Sequence, residues 1–212
     1  MSTIVVFGGT GYTGGNIVRE AASRGHQVIA VSRSEPTEHV PGVRYEVGPA
    51  EDVAARVVPG SDVVVATLSP RGDMAGRLVE TYAELARLAA EAGARYLQVG
   101  GFSSLRPAPD QPRVVEGEIP EPYRAEALEG EATRVLLAER APDELDWVFV
   151  SPAGGYGSFA PGERTGTYRV GGEIALFDAE GGSNISGADF ALAIVDEIDE
   201  PRHHREHIGV AY

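Results

Sequence analysis

Apolar residues in this chain come in short runs, and their spacing alternates between two periods. Continuous runs such as Ile4-Val5-Val6-Phe7, Val28-Ile29-Ala30-Val31 and Val63-Val64-Val65-Ala66 have the length of strands buried on both faces. Between them, apolar positions fall three and four apart: Ile17, Val18 and Ala21, then Leu78, Val79, Tyr82, Leu85, Ala86 and Ala89. That spacing predicts helices with one buried stripe. The pattern predicts strands over 3–8, 27–31, 43–47, 62–68, 96–100 and 147–151, with a short last strand over 208–211. Helices are predicted over 12–23, 51–58, 74–92, 125–139 and 188–199. Such alternation gives βαβ units and a doubly wound parallel α/β sheet, here one domain over residues 1–212.

Two stretches break the alternation. Residues 106–123 carry Pro107, Pro109, Pro112, Pro120 and Pro122, too many for regular structure. Residues 154–186 are rich in glycine. Within them Thr167-Tyr168-Arg169-Val170 and Ile174-Ala175-Leu176-Phe177, joined through Gly171-Gly172, predict a small β-hairpin. Both stretches follow the C-terminal ends of predicted strands, where open α/β sheets bind ligands.

The first strand runs directly into FGGTGYTGG, residues 7–15. Gly8, Gly11 and Gly14 recur every third residue, and Gly9-x-Gly11-x-x-Gly14 is satisfied as well. Glycine at these places permits a sharp turn, close approach of backbone to a pyrophosphate, and a helix that starts tight against the sheet. The free N–H groups of that helix would face the phosphates. A tight structural turn is the plainer alternative, but the buried strand before it and the amphipathic helix after it favour a dinucleotide-binding Rossmann fold. The second strand ends at Val31-Ser32-Arg33-Ser34. An NAD site is expected to carry an acidic residue there; the planar fork of Arg33 suits a 2′-phosphate. NADP(H) is therefore expected over NAD(H), with Glu35 close by and a solvated Arg33 as the bland reading.

Composition narrows the remaining classes. The 212 residues are 42% hydrophobic and 24% charged, and no apolar run approaches the ~20 residues of a membrane span. The N-terminus reads as a buried strand rather than a signal peptide. The chain has no Cys, which excludes disulfides and thiolate catalysis and predicts a cytoplasmic protein. A net charge of -14 works against nucleic-acid binding.

In order along the chain, FGGTGYTG, VSRS, LSP at 68–70, VGGFSSL at 99–105, DWVFVSPAG at 146–154, RTGTYRVGG at 164–172 and SNISGADFALAIVDEID at 183–199 resemble the atypical short-chain dehydrogenase/reductase group. The nearest branch is that of NAD(P)H-binding and NADH–flavin reductase proteins, related to biliverdin reductase B and NmrA-like regulators. The resemblance implies that Gly8, Thr10, Gly11, Tyr12, Thr13 and Gly14 wrap the pyrophosphate and that Arg33 meets the 2′-phosphate. It implies that Leu68, Ser69 and Pro70 lie near the nicotinamide ribose, that Gly100, Gly101 and Phe102 lie beside the nicotinamide, that Pro152 and Ala153 close over its carboxamide, and that the hairpin in 154–186 and the proline-rich loop 106–123 form the substrate wall. Relatives usually carry Gly-Asp after the third strand; here Gly48-Pro49 stands there, with Asp52 further on.

All 18 basic residues are Arg. Typical short-chain dehydrogenases use Tyr-x-x-x-Lys, in which Lys lowers the pKa of the Tyr. Here Tyr123 is followed four residues on by Ala127, and an unassisted phenol near ~10 is a poor base at neutral pH. Alcohol oxidation, epimerisation and dehydration are disfavoured, and an epimerase would also call for a longer substrate domain. Hydride delivery to a flat conjugated acceptor, a flavin or quinone, needs no such base. Ser103 and Tyr123 are the candidate catalytic residues, set against plain roles in a loop and at a helix start. A non-catalytic NADP(H) sensor of the NmrA-like kind is the alternative. Trp147 reads as core. His203, His204 and His207 read as a solvated loop rather than a metal site. Ser186 or Asp189 reads as a helix cap. A monomer or homodimer is expected, the apolar stripe of 74–92 serving either core or dimer.

Overall fold

The computed structural model describes residues 1–212. Eight strands form one sheet: β1 (Thr3–Phe7), β2 (Gln27–Ser32), β3 (Arg44–Val47), β4 (Val63–Ala66), β5 (Arg95–Val99), β6 (Trp147–Pro152), β7 (Arg169–Gly171) and β8 (Glu206–Ala211). Their order is β3-β2-β1-β4-β5-β6-β8-β7. All neighbours are parallel except β7, which runs antiparallel to β8.

Alternation along the strands splits the core into two layers. Ile4, Val6, Val65, Leu97 and Val150 face the side covered by helices α1 (Tyr12–Ser23) and α5 (Gly187–Asp199). Val5, Phe7, Val64, Tyr96 and Phe149 face α2 (Ala50–Val57), α3 (Leu78–Ala92) and α4 (Glu121–Arg140). Each fully buried Val, Leu, Ile or Phe side chain stabilises the fold by ~1.5–3 kcal/mol, so the central strands hold the site rigidly. The chain reverses its progress across the sheet between β1 and β4, and this switch point opens at their C-terminal ends, where the glycine stretch lies.

The structure corrects the expected elements in four places. The helix expected from residue 74 starts at Leu78, after a 3₁₀ turn at Gly72–Met74, because Gly76 adopts a φ of +77° that no α-helix continues through. The proline-rich stretch yields to α4 two residues before its end. Pro120 caps this helix and Pro122 lies in its first turn, where its missing N–H costs nothing. The predicted hairpin does not form. Arg169–Gly171 pairs instead with the otherwise open edge of β8, and Ile174 bridges to Arg106. An unpaired row of β8 amides is a stronger partner than a short glycine-linked return. Finally, β8 begins at Glu206, so His207 belongs to a strand and not to a solvated loop.

Trp147 is core, as expected. Ser186 caps α5, its hydroxyl oxygen accepting from the Asp189 N–H. No helix is long and apolar enough to cross a membrane.

Candidate functional site

The turn after β1 is built around close backbone contacts. Gly8 and Gly9 both donate to the Val31 carbonyl, at 2.9 and 3.0 Å, tying the turn to the end of β2. Gly8 has a φ of +85°, the left-handed region that glycine adopts without strain. A Cβ on Gly14 would stand 2.2 Å from the Gly8 carbonyl oxygen and 2.8 Å from the Thr67 hydroxyl, so only glycine lets α1 begin this close to the sheet. Thr67 itself donates to the Phe7 carbonyl and closes the floor of the turn. The amides of Thr10, Tyr12, Thr13 and Gly14 find no acceptor within the chain. A helix start with free N–H groups and no side-chain cap is suited to an anion.

In front of these amides lies a crevice of about 640 Å³, lined among others by Gly8, Thr10, Gly11, Arg33, Leu68 and Ser69. Pro70 follows Ser69 just outside it. The lining side chains that were not anticipated include Thr67, Asp73, Arg71 and Arg77. The two arginines are engaged. Arg71 is held by both oxygens of Glu126, at 2.8 and 3.0 Å, and Arg77 pairs with Glu51. Arg33 is not held this way, since its nearest carboxylate, Asp73, is 3.6 Å off and itself 94% exposed. Pro49 and Glu51 line the crevice while Asp52 does not. A second hollow of about 690 Å³ lies across the glycine turn, sharing only Thr10 and Gly11 with the first.

Tyr12 and Thr13 turn toward the 154–186 segment. The Thr13 hydroxyl is 2.7 Å from that of Tyr156, whose ring packs on Phe190 and meets Tyr12 edge-on. Burial raises the pKa of both Tyr12 and Tyr156, so neither phenol is a base at neutral pH. Tyr156 braces the glycine turn through Thr13 and was missed by sequence reasoning; it stands four residues after Pro152 in a stretch with no period to mark it.

The remaining candidates do not line this crevice; they follow the C-terminal ends of β5 and β6, the next strands along the sheet from β4. A Cβ on Gly100 would stand 2.1 Å from the Phe149 ring. Gly101 leads into a 3₁₀ turn at Phe102–Ser104. The Phe102 ring meets Phe177 edge-on at 6.5 Å, and the Gly154 backbone passes beside it. Pro152 and Ala153 are buried where β6 ends. Ser103 is half-buried and makes no hydrogen bond. Tyr123 lies in the first turn of α4, 61% exposed. The two candidate catalytic residues are not hydrogen-bonded to each other.

Behind this turn is a buried polar chain. Ser151 donates to the Gly101 carbonyl at 2.8 Å, and its oxygen is 2.9 Å from His207 Nε2. Arg113 donates to the Ser104 carbonyl, approaches His207 Nδ1 at 3.4 Å, and pairs with Glu173. Burial, with Arg113 and Arg134 adding to it, pushes the His207 imidazole down to about 3. Burial opposes ionisation of Glu173 too, but Arg113 and Arg106 hold its carboxyl below the usual range. The other histidines sit apart: His203 pairs with Glu197 and His204 with Asp146.

The model of a family described as NAD(P)H-binding matches residues 8–201. The chain belongs to that family. Its match runs from the glycine turn through α5. Solved structures resemble it over almost the whole length. A "putative exported protein" from Burkholderia pseudomallei is 36% identical, with a TM-score of 0.86 over all of both chains. A "putative NADH-flavin reductase" from Streptococcus pneumoniae is 28% identical, with a TM-score of 0.85 over 100% of this chain and 99% of that one. A "putative epimerase" from Bacteroides thetaiotaomicron is 32% identical, with a TM-score of 0.85 over 99% and 96%. The free amides, the glycine-only floor and the exposed guanidinium of Arg33 fit a dinucleotide; none of them needs rebuilding to accept one.

Proposed function

We propose that the protein is an NADP(H)-dependent reductase that delivers hydride to a flat conjugated acceptor of the flavin or quinone kind. The nicotinamide nucleotide supplies the hydride when bound. The chain's own part is to hold the diphosphate on the amides of Thr10, Tyr12, Thr13 and Gly14, to meet the 2′-phosphate with Arg33, and to offer the acceptor an apolar wall at Phe102 and Phe177. Positioning of this type accelerates a reaction by prepaying orientation.

The observation that carries the reading is the lack of a base where a dehydrogenase needs one. The chain has no Lys, Tyr123 stands in solvent, and burial keeps Tyr12 and Tyr156 protonated. An acceptor that takes hydride into a conjugated system and a proton from water suits such a site.

Steady-state oxidation of NADPH and NADH with FMN, riboflavin and quinones tests this. The expected result is turnover with at least one acceptor and a higher kcat/KM for NADPH. Tight NADPH binding without turnover on any of them would replace the reductase by a cofactor-binding sensor.

A further inference from the structure

Hydrogen-bond arithmetic fixes the protons in the buried chain behind Phe102. The Ser151 hydroxyl has one proton and two neighbours, the Gly101 carbonyl oxygen at 2.8 Å and His207 Nε2 at 2.9 Å. A carbonyl can only accept, so the hydroxyl proton goes to Gly101 and Nε2 must carry the hydrogen that meets the Ser151 oxygen. Nδ1 is then left with a lone pair, and it faces the Arg113 guanidinium, which can only donate. The opposite tautomer would set two donors against each other and leave the Gly101 carbonyl facing a lone pair. Every link therefore runs one way: Arg113 to His207, His207 to Ser151, Ser151 to Gly101.

The two ends of this chain are informative. Arg113 also donates to the Ser104 carbonyl at 2.5 Å, so both ends of the turn that carries Phe102 are gripped from behind. Arg113 is in turn held by Glu173, which Arg106 also contacts. The two irregular stretches, 106–123 and 154–186, are thus joined to β6 and β8 through a single set of polar links. Ser151 is fully buried and Arg113 nearly so. The side chains of Ser151, His207 and Arg113 all find partners, and such a buried polar chain sets one geometry and penalises the rest.

We infer that Ser151 and His207 are positioning residues: through the Gly101 carbonyl they fix the turn that carries Phe102, the residue meant to stand beside the nicotinamide. This rests on the reductase reading above for the role of Phe102, and on the geometry alone for the proton order.

The test uses the full-length chain with Ser151→Ala, His207→Leu and His207→Gln, and two ligands. NADPH spans the crevice; 2′,5′-ADP lacks the nicotinamide half. Affinity for 2′,5′-ADP should stay within about twofold in every variant. In Ser151→Ala and His207→Leu, the advantage of NADPH over 2′,5′-ADP, and kcat with FMN, should each fall about tenfold, the worth of roughly one hydrogen bond. His207→Gln should recover both, because its amide N–H can stand where Nε2–H stood. Imidazole ¹⁵N spectra at pH 7 should show hydrogen on Nε2 and none on Nδ1. The inference is overturned by unchanged ratios and kcat in Ser151→Ala and His207→Leu, by a His207→Gln as impaired as His207→Leu, or by hydrogen on Nδ1. A wild type that binds NADPH but reduces no acceptor would sink the reductase reading instead, while the affinity ratios and spectra still decide the role of the two residues.

Discussion

A Cβ added to Gly14 would stand 2.2 Å from the carbonyl oxygen of Gly8. The atom it meets is backbone, held in place by the paired bonds of Gly8 and Gly9 to Val31, so neither partner can step aside. Gly14→Ala should destabilise the fold by ~1–3 kcal/mol, the usual cost of overpacking, and abolish NADPH binding by pushing α1 off the sheet. Gly15 is the control. Its Cβ would meet nothing nearer than 3.6 Å, so Gly15→Ala in the same helix should be neutral or stabilising by up to ~1 kcal/mol. Thermal denaturation with and without NADPH compares the two; equal behaviour would rule out the close-packed turn.

Arg33 is the one arginine at the crevice without a close partner, its contact to Asp73 being 3.6 Å and exposed. A charge-assisted hydrogen bond to a 2′-phosphate is worth ~1.5–3 kcal/mol. Arg33→Asp should therefore weaken NADPH roughly tenfold to a hundredfold and leave NADH unchanged. Calorimetric titration with both nucleotides measures this, and a matched loss for both would remove Arg33 from cofactor selection. Asp73→Asn should leave stability within ~0.5 kcal/mol, as exposed pairs at this distance contribute little.

The sheet and the glycine turn were legible because their signals are local. Runs such as Val63–Ala66 and the triplet Gly8, Gly11, Gly14 state their structure within a few residues. What escaped depends on partners far along the chain. Thr167–Phe177 looked like a hairpin because two short apolar pieces flank glycines, yet the free edge of β8, some forty residues later, captures Arg169–Gly171. His207 looked solvated among His203, His204 and Glu206, since nothing in its neighbourhood announces that its ring turns inward against Phe149 and Ser151. Tyr156 and Arg113 were invisible for the same reason, each defined by a partner in another element.

His207 makes stability depend on pH in a stated direction. Burial first, then the charges of Arg113 and Arg134 against the opposing Glu173, push its folded pKa down to about 3, while an unfolded chain titrates near ~6.5. The unfolded state thus binds more protons between these values. The contribution is fully present above ~6.5 and is lost as pH falls toward ~3, at ~1.4 kcal/mol per pH unit for one group. Urea midpoints at pH 7, 6 and 5 should fall more steeply in the wild type than in His207→Gln. Parallel slopes would mean the ring is charged, or water-exposed, in the folded protein.

Asp189 concentrates more hydrogen bonds than any other carboxylate near the site, and this anchors the 154–186 segment. It is fully buried and accepts from the amides of Thr165 and Gly166 at 2.8 Å each, from the Ser186 hydroxyl at 2.9 Å and from the Tyr212 hydroxyl at 2.6 Å. Burial alone would raise its pKa; these donors outweigh burial and hold it at about 2. Asp189→Asn replaces one accepting oxygen by an NH₂ that faces existing donors, so at least one bond becomes a donor–donor clash. The expected loss is ~2–3 kcal/mol, or ~4–12 °C in Tm for a chain of this size. The effect should be local before it is global: hydrogen exchange at Thr165 and Gly166 should quicken by more than the β1 amides do, because the segment opens without unfolding the sheet. Exchange that rises equally in both places would show instead that Asp189 supports α5 and the core, with no separate hold on the 154–186 segment.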